Sequence, residues 1–94
     1  MAKRLAVTRN AYLHIDRIIE FNDLRNKSSV YSRKIVKLLF KEFDLLKRLP
    51  FMGIDTGQKG IYRLVWNDFY IFYTITGDLI EIQAVHHQKE DINS

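Results

Sequence analysis

Hydrophobic and polar positions recur along this chain with two different periods, and the switch between them separates helical from extended segments. From Gly60 to His87 the sequence reads GIYRLVWNDFYIFYTITGDLIEIQAVHH, three runs rich in β-branched and aromatic residues divided by the turn-forming pairs Asn67-Asp68 and Gly77-Asp78. This pattern predicts a three-stranded antiparallel meander. Two-residue turns fix the register, so Tyr62 should oppose Tyr73, Leu64 oppose Ile71 and Trp66 oppose Phe69. In the second hairpin Ile75 should oppose Ile80, Tyr73 oppose Ile82 and Ile71 oppose Ala84. One face then collects Leu64, Trp66, Ile71, Tyr73, Ile75, Ile80, Ile82 and Ala84, and a sheet buries its apolar face against a second layer. The other face carries Arg63, Tyr70, Phe72, Thr74, Glu81, Gln83, Val85 and His87, while His86 falls on the core side. Function is sought on this open face.

Ahead of the meander the period changes. Arg4 to Thr8 alternates, with Leu5 and Val7 on one side, and predicts a short first strand. Thr8 is placed to cap a helix over residues 9–25, in which Ala11, Ile15, Ile18 and Ile19 form an apolar stripe. Asn26 to Ser29 interrupts the pattern, and Ser28 or Ser29 can cap a longer helix. In that helix Tyr31, Ile35, Leu38, Leu39, Phe43, Leu46 and Leu49 recur at helical spacing until Pro50 stops it. The stretch FMGIDTGQK, residues 51–59, has two glycines and no period, and predicts a loop. The expected fold is α+β: a helix hairpin packed on one face of an antiparallel sheet, itself a short N-terminal strand plus the C-terminal meander. Residues 1–94 show no linker or repeat and predict a single domain.

Composition narrows the function classes. With 94 residues and 47% hydrophobic positions, the chain supports one modest core. Cysteine is absent, which removes disulfides and thiolate metal sites. No apolar run is long enough for a secretory signal or a membrane span, so a soluble cytoplasmic protein with no membrane partner is expected. The net charge of +4 favours an anionic partner. The surplus lies mainly on the second predicted helix, where Lys34, Lys37, Lys41 and Arg48 fall along one side. Such a stripe is either a solvated helix face or a surface that holds phosphates without reading sequence.

The run RLVWNDFYIFYTITGDLIEIQAVHHQKED, preceded by Leu49-Pro50-x-x-Gly53 and by the RNKSSVYS stretch between the helices, resembles the RelE/ParE superfamily of bacterial type II toxin–antitoxin systems. The resemblance implies a growth-inhibiting toxin of plasmid stabilisation type, held by a cognate antitoxin in a hetero-oligomer and needing no cofactor or metal. Two activities occur in that superfamily. One is ribosome-dependent cleavage of mRNA by a metal-independent endoribonuclease; the other is non-enzymatic inhibition of DNA gyrase.

On the nuclease branch, cleavage needs an activated 2′-hydroxyl, stabilisation of charge on the scissile phosphate, and a proton for the leaving oxygen. Arg63 matches the arginine that begins the meander in those enzymes, and its planar, permanent charge suits a phosphorane. Lys59 matches one of the preceding basic residues, whereas a second lysine of the pattern is here Ile61. His87 shares the expected open face with Arg63 and is the candidate acid–base group. Tyr70 and Phe72 on that face suit a stacked base or, preferably, an antitoxin segment. Each also has a plain structural role: Arg63 lying over Tyr70 or Phe72, His87 as a strand-end residue, His14 and Tyr12 as surface and core-edge positions. On the gyrase branch the Pro-x-x-Gly and the V-x-H-x-x-x-D ending (Val85, His87, Asp91) are shared, and no residue is catalytic.

Overall fold

The computed structural model of the chain describes residues 3–58 and 60–88. Its elements are β1 (Arg4–Val7), α1 (Arg9–Asn26), α2 (Val30–Arg48), β2 (Ile54–Asp55), β3 (Ile61–Trp66), β4 (Phe69–Thr76) and β5 (Leu79–His87). The strands form one sheet in the order β1-β5-β4-β3-β2. Both helices contribute to a core on one face of it: Ala11 and Ile15 from α1, and Leu39, Phe43 and Leu46 from α2, pack with Leu64, Phe69, Ile71, Tyr73, Ile80, Ile82 and Val85.

The helix boundaries follow from their caps. Thr8 is extended, its hydroxyl oxygen accepts from the Ala11 N–H at 3.2 Å, and that hydroxyl and its own N–H both donate to the Ile82 carbonyl. One residue thus starts α1 and ties it to β5. At the other end Lys27 turns left-handed (φ 53°) and its N–H returns to the Asp23 carbonyl. Ser29 occupies the N-cap position of α2, while the capping bond comes from Ser28, whose hydroxyl accepts from the Val30 N–H. Buried Ser32 bonds the Asp23 carboxylate and joins the two helices. The second helix ends at Arg48, just before Pro50.

Two features add to the expected α+β architecture. β1 pairs in parallel with β5, Arg4 against Leu79 through Val7 against Ile82, so the sheet is mixed. A parallel partner is reached because the chain crosses over through the helix hairpin before the meander begins. Within the segment expected to be a loop, Ile54 and Asp55 form a two-residue edge strand against Arg63 and Tyr62. A strand that short has no alternation to detect.

Between β3 and β4 the register is as the turns predict, and in the second hairpin Ile75 opposes Ile80 and Tyr73 opposes Ile82. Beyond that point β5 carries a bulge: Phe72 opposes Ala84, leaving Gln83 as the extra residue, and Ile71 opposes Val85. The expectation that Ala84 faces Ile71 in the core is therefore corrected. Val85, 2% exposed, takes that place and fills space that an alanine would leave empty. The same shift reverses the two histidines that follow, pairing His86 with Tyr70 and His87 with Phe69.

The Pro50-x-x-Gly53 motif has a packing role. Tyr73 is fully buried, its hydroxyl donates to the Pro50 carbonyl at 2.8 Å and accepts from the Gly53 N–H at 2.9 Å, and its ring stacks on Tyr62. A Cβ on Gly53 would lie 2.6 Å from that hydroxyl oxygen and 3.0 Å from the Arg63 carbonyl. Burial raises the pKa of the Tyr73 phenol above its usual 10.0, against the smaller lowering effect of the Gly53 bond. Tyr73→Phe should destabilise by about 1–3 kcal/mol, because it strands a carbonyl and an N–H, and Gly53→Ala by a similar ~1–3 kcal/mol through overpacking. Urea denaturation measures both. Since the unfolded phenol ionises before the folded one, the Tyr73 contribution is complete below the unfolded pKa and lost as pH rises through the folded one. Tyr73→Phe should remove that part of the alkaline decline in melting temperature.

Candidate functional site

On the face of the sheet opposite the core, side chains from three strands touch in series, and the series ends on His14, which α1 brings to the edge of β5. The guanidinium carbon of Arg63 lies 4.9 Å from the centroid of the Tyr70 ring, and its Nε is buried with no hydrogen-bond partner among the described residues. A cation over an aromatic face explains how this charge is held inside a half-covered surface. Tyr70 meets Phe72 edge-on at 6.4 Å, Phe72 meets His86 at 6.0 Å, and His86 meets His14 at 4.5 Å between centroids. Gln83, at the bulge, donates from its amide to the Thr74 hydroxyl.

His87 is elsewhere. The bulge turns it to the core side, where it sits edge-on to Phe69 at 5.3 Å. Sharing of the open face by Arg63 and His87 is thus corrected, as is the placing of His86 toward the core: His86 shares the face of Arg63, and His87 lies across the sheet from it. Lys59 lies outside the described residues, as does Asp91. Tyr70 and Phe72 stand side by side on the open face, as expected.

The basic stripe is separate from both histidines. Lys34, Lys37 and Lys41 are exposed on the side of α2 opposite Leu39, Phe43 and Leu46, which face the sheet. Lysines and the Arg63 face therefore occupy opposite outer surfaces of a two-layer molecule. Among the described residues no group of His, Cys, Asp and Glu could hold a metal ion, and no helix is long and apolar enough to cross a membrane.

His14 and Asn10 escaped sequence reasoning as functional positions. β1 stops at Val7, and the edge of β5 beyond Ile82 is taken over by α1: Asn10 donates from its amide to the Gln83 carbonyl at 3.1 Å, and the Val85 N–H donates to His14 Nδ1 at 3.2 Å. Four helical residues rise about 6 Å, close to the roughly 6.8 Å spanned by two strand residues, so polar side chains at i and i+4 match alternate strand groups. The visible signal was two polar residues directly beside the buried Ala11 and Ile15. His14 Nδ1 is unprotonated in this contact and Nε2 carries the ring proton. His14→Ala should leave the Val85 N–H unpaired, lowering stability by about 1–3 kcal/mol and speeding exchange of the Val85 amide relative to Phe72 and Tyr73 in hydrogen–deuterium exchange.

The comparisons with known proteins agree with this architecture. The model of the family described as "ParE toxin of type II toxin-antitoxin system, parDE" matches residues 5–92. The chain belongs to that family. Among solved structures it is similar to a chain of the chromosomal ParDE toxin–antitoxin system from P. aeruginosa, with a TM-score of 0.75 and 18% identity over 92% of this chain and 96% of that one. It is also similar to a chain of the RelBE2 toxin–antitoxin complex from Mycobacterium tuberculosis, with a TM-score of 0.66 and 15% identity over 93% of this chain and 99% of that one. At such identities these likenesses concern the fold. No curated protein matches the sequence.

Proposed function

We propose that this toxin inhibits growth by binding its target, DNA gyrase, and not by cleaving a substrate, and that its antitoxin neutralises it by covering the open face. The observation that supports this reading is the separation of Arg63 from His87 by the thickness of the sheet, which leaves the proposed phosphate-stabilising cation without the acid–base group assigned to it. Arg63, Tyr70 and Phe72 then form a contact surface in which an aromatic pair supplies area and the cation supplies direction. An antitoxin segment that reaches both this face and Lys34, Lys37 and Lys41 must wrap around the molecule, as extended chains that order on binding do. The lysines add association rate more than affinity. Gyrase as the target places the toxin in the cytoplasm.

One observation favours a second reading, ribosome-dependent mRNA cleavage. The bulge brings His86 onto the face of Arg63, so a nuclease built on this chain would use His86 in place of His87 as acid–base group, with Arg63 as charge stabiliser. Two assays on purified protein separate the readings. Supercoiling by gyrase should stop on addition of the wild type, Arg63→Ala should be markedly weaker, and His87→Gln should act as the wild type does. If supercoiling continues while primer extension shows cuts in ribosome-bound mRNA, the gyrase reading fails. In that case His86→Gln should slow cutting by about 10²–10⁴-fold, and Arg63→Ala by roughly 10²–10³-fold.

A further inference from the structure

On the side of the molecule where α1 meets the ends of β4 and β5, a groove of about 380 Å³ is bounded by Arg17, Ile18, Phe21, Arg25, Phe69 and His87. None of the sites considered above accounts for it. Arg17, Phe21 and Arg25 follow one another at four-residue steps on α1, so an aromatic residue stands between two arginines whose backbone positions are roughly 12 Å apart along the helix. Phe21 is 62% exposed, and together with Ile18 and Phe69 it gives the groove an apolar wall. Neither arginine takes part in an ion pair among the described residues, whose two ion pairs are Arg4–Asp78 and Lys47–Asp44. Ile18 and Phe69 line the apolar part of the groove, and His87, turned to this side by the bulge, lines it too.

We propose that this groove anchors a segment of the antitoxin that carries a bulky apolar residue flanked by carboxylates, the apolar side chain packing on Phe21, Ile18 and Phe69 and the carboxylates pairing with Arg17 and Arg25. The inference rests on the antitoxin-bound reading of this toxin and adds to it a second point of attachment, away from both the open face and the lysine stripe. Charge complementarity selects the occupant: among the described residues the walls offer two cations and no acidic group, on a chain of net charge +4. The apolar lining selects an amphipathic peptide over a polyanion. A ring flanked by charges is the arrangement of an interface anchor, an apolar centre with a polar rim.

The experiment uses the purified cognate antitoxin, overlapping fifteen-residue peptides tiling it, and the full chain labelled for amide NMR. A tiling peptide with the stated pattern should shift the amides of Phe21, Arg25, Phe69 and His87. Arg17→Glu with Arg25→Glu, both exposed sites, should weaken intact antitoxin about a hundredfold, and Phe21→Ala at least tenfold, whereas Lys34→Glu should mainly slow association. Affinity within threefold of the wild type for all these groove variants overturns the proposal. So do three rival occupancies of the groove: shifts reproduced by deleting residues 89–94, shifts that grow with toxin concentration alone, and shifts caused by a ten-residue deoxythymidine oligonucleotide but not by the antitoxin. Antitoxin that binds the wild type with the groove amides unmoved overturns the groove alone. Antitoxin that fails to bind at all removes the antitoxin reading and this inference with it.

Discussion

The buried pairing of Val85 with Ile71 constrains most of what this molecule presents to its surroundings. Both side chains lie in the centre of the core, and they oppose each other only because Gln83 is squeezed out of the β4–β5 ladder. A sheet has a side-chain period of two, so one extra residue exchanges the faces of everything beyond it. The cost of leaving an alanine-sized gap opposite Ile71 therefore determines that His86 joins Tyr70 and Phe72, and that His87 turns toward α1. The edge of β5 next to the bulge has no β1 to pair with, and Asn10 and His14 supply the missing partners. Packing in the core, the polar seam with α1 and the composition of the open face thus share one cause.

The Tyr73 hydroxyl plays the corresponding role at the other end of the sheet. It satisfies a carbonyl and an N–H in the segment after α2, at a place where the backbone at Gly53 passes too close for any side chain. The Pro50-x-x-Gly53 spacing here serves the join between helix layer and sheet. Its presence consequently carries no information about catalysis.

Much of the fold was legible because its determinants are local. The turns at Asn67 and Gly77, the caps at Thr8 and Ser28, the stop at Pro50 and the two apolar periods each act within a few residues, and each appears where the residues indicate. What lay beyond reading depends on residues distant in the chain. The bulge is decided by the volume opposite Ile71, the β2 pairing by two residues without periodicity, and the seam by a helix meeting a strand more than seventy residues away. On the open face, the placement of Arg63, Tyr70 and Phe72 was legible because they precede the bulge in register, whereas the facing of His86 and His87 was not, because they follow it.

Among the described residues β1 has its one strand neighbour at the far end of the meander, with Arg4 beside Leu79 and Val7 beside Ile82. During synthesis the chain can form its helix hairpin and then its first β-hairpin by local contacts, but until β5 has emerged the sheet lacks both β5 and β1 and stays two strands short. The start of α1 waits as well, because Thr8 is tied to Ile82, as does the seam through Asn10 and His14. A nascent toxin is therefore unfinished on the ribosome that makes it, and its finished surface first exists after almost the whole described chain has been translated.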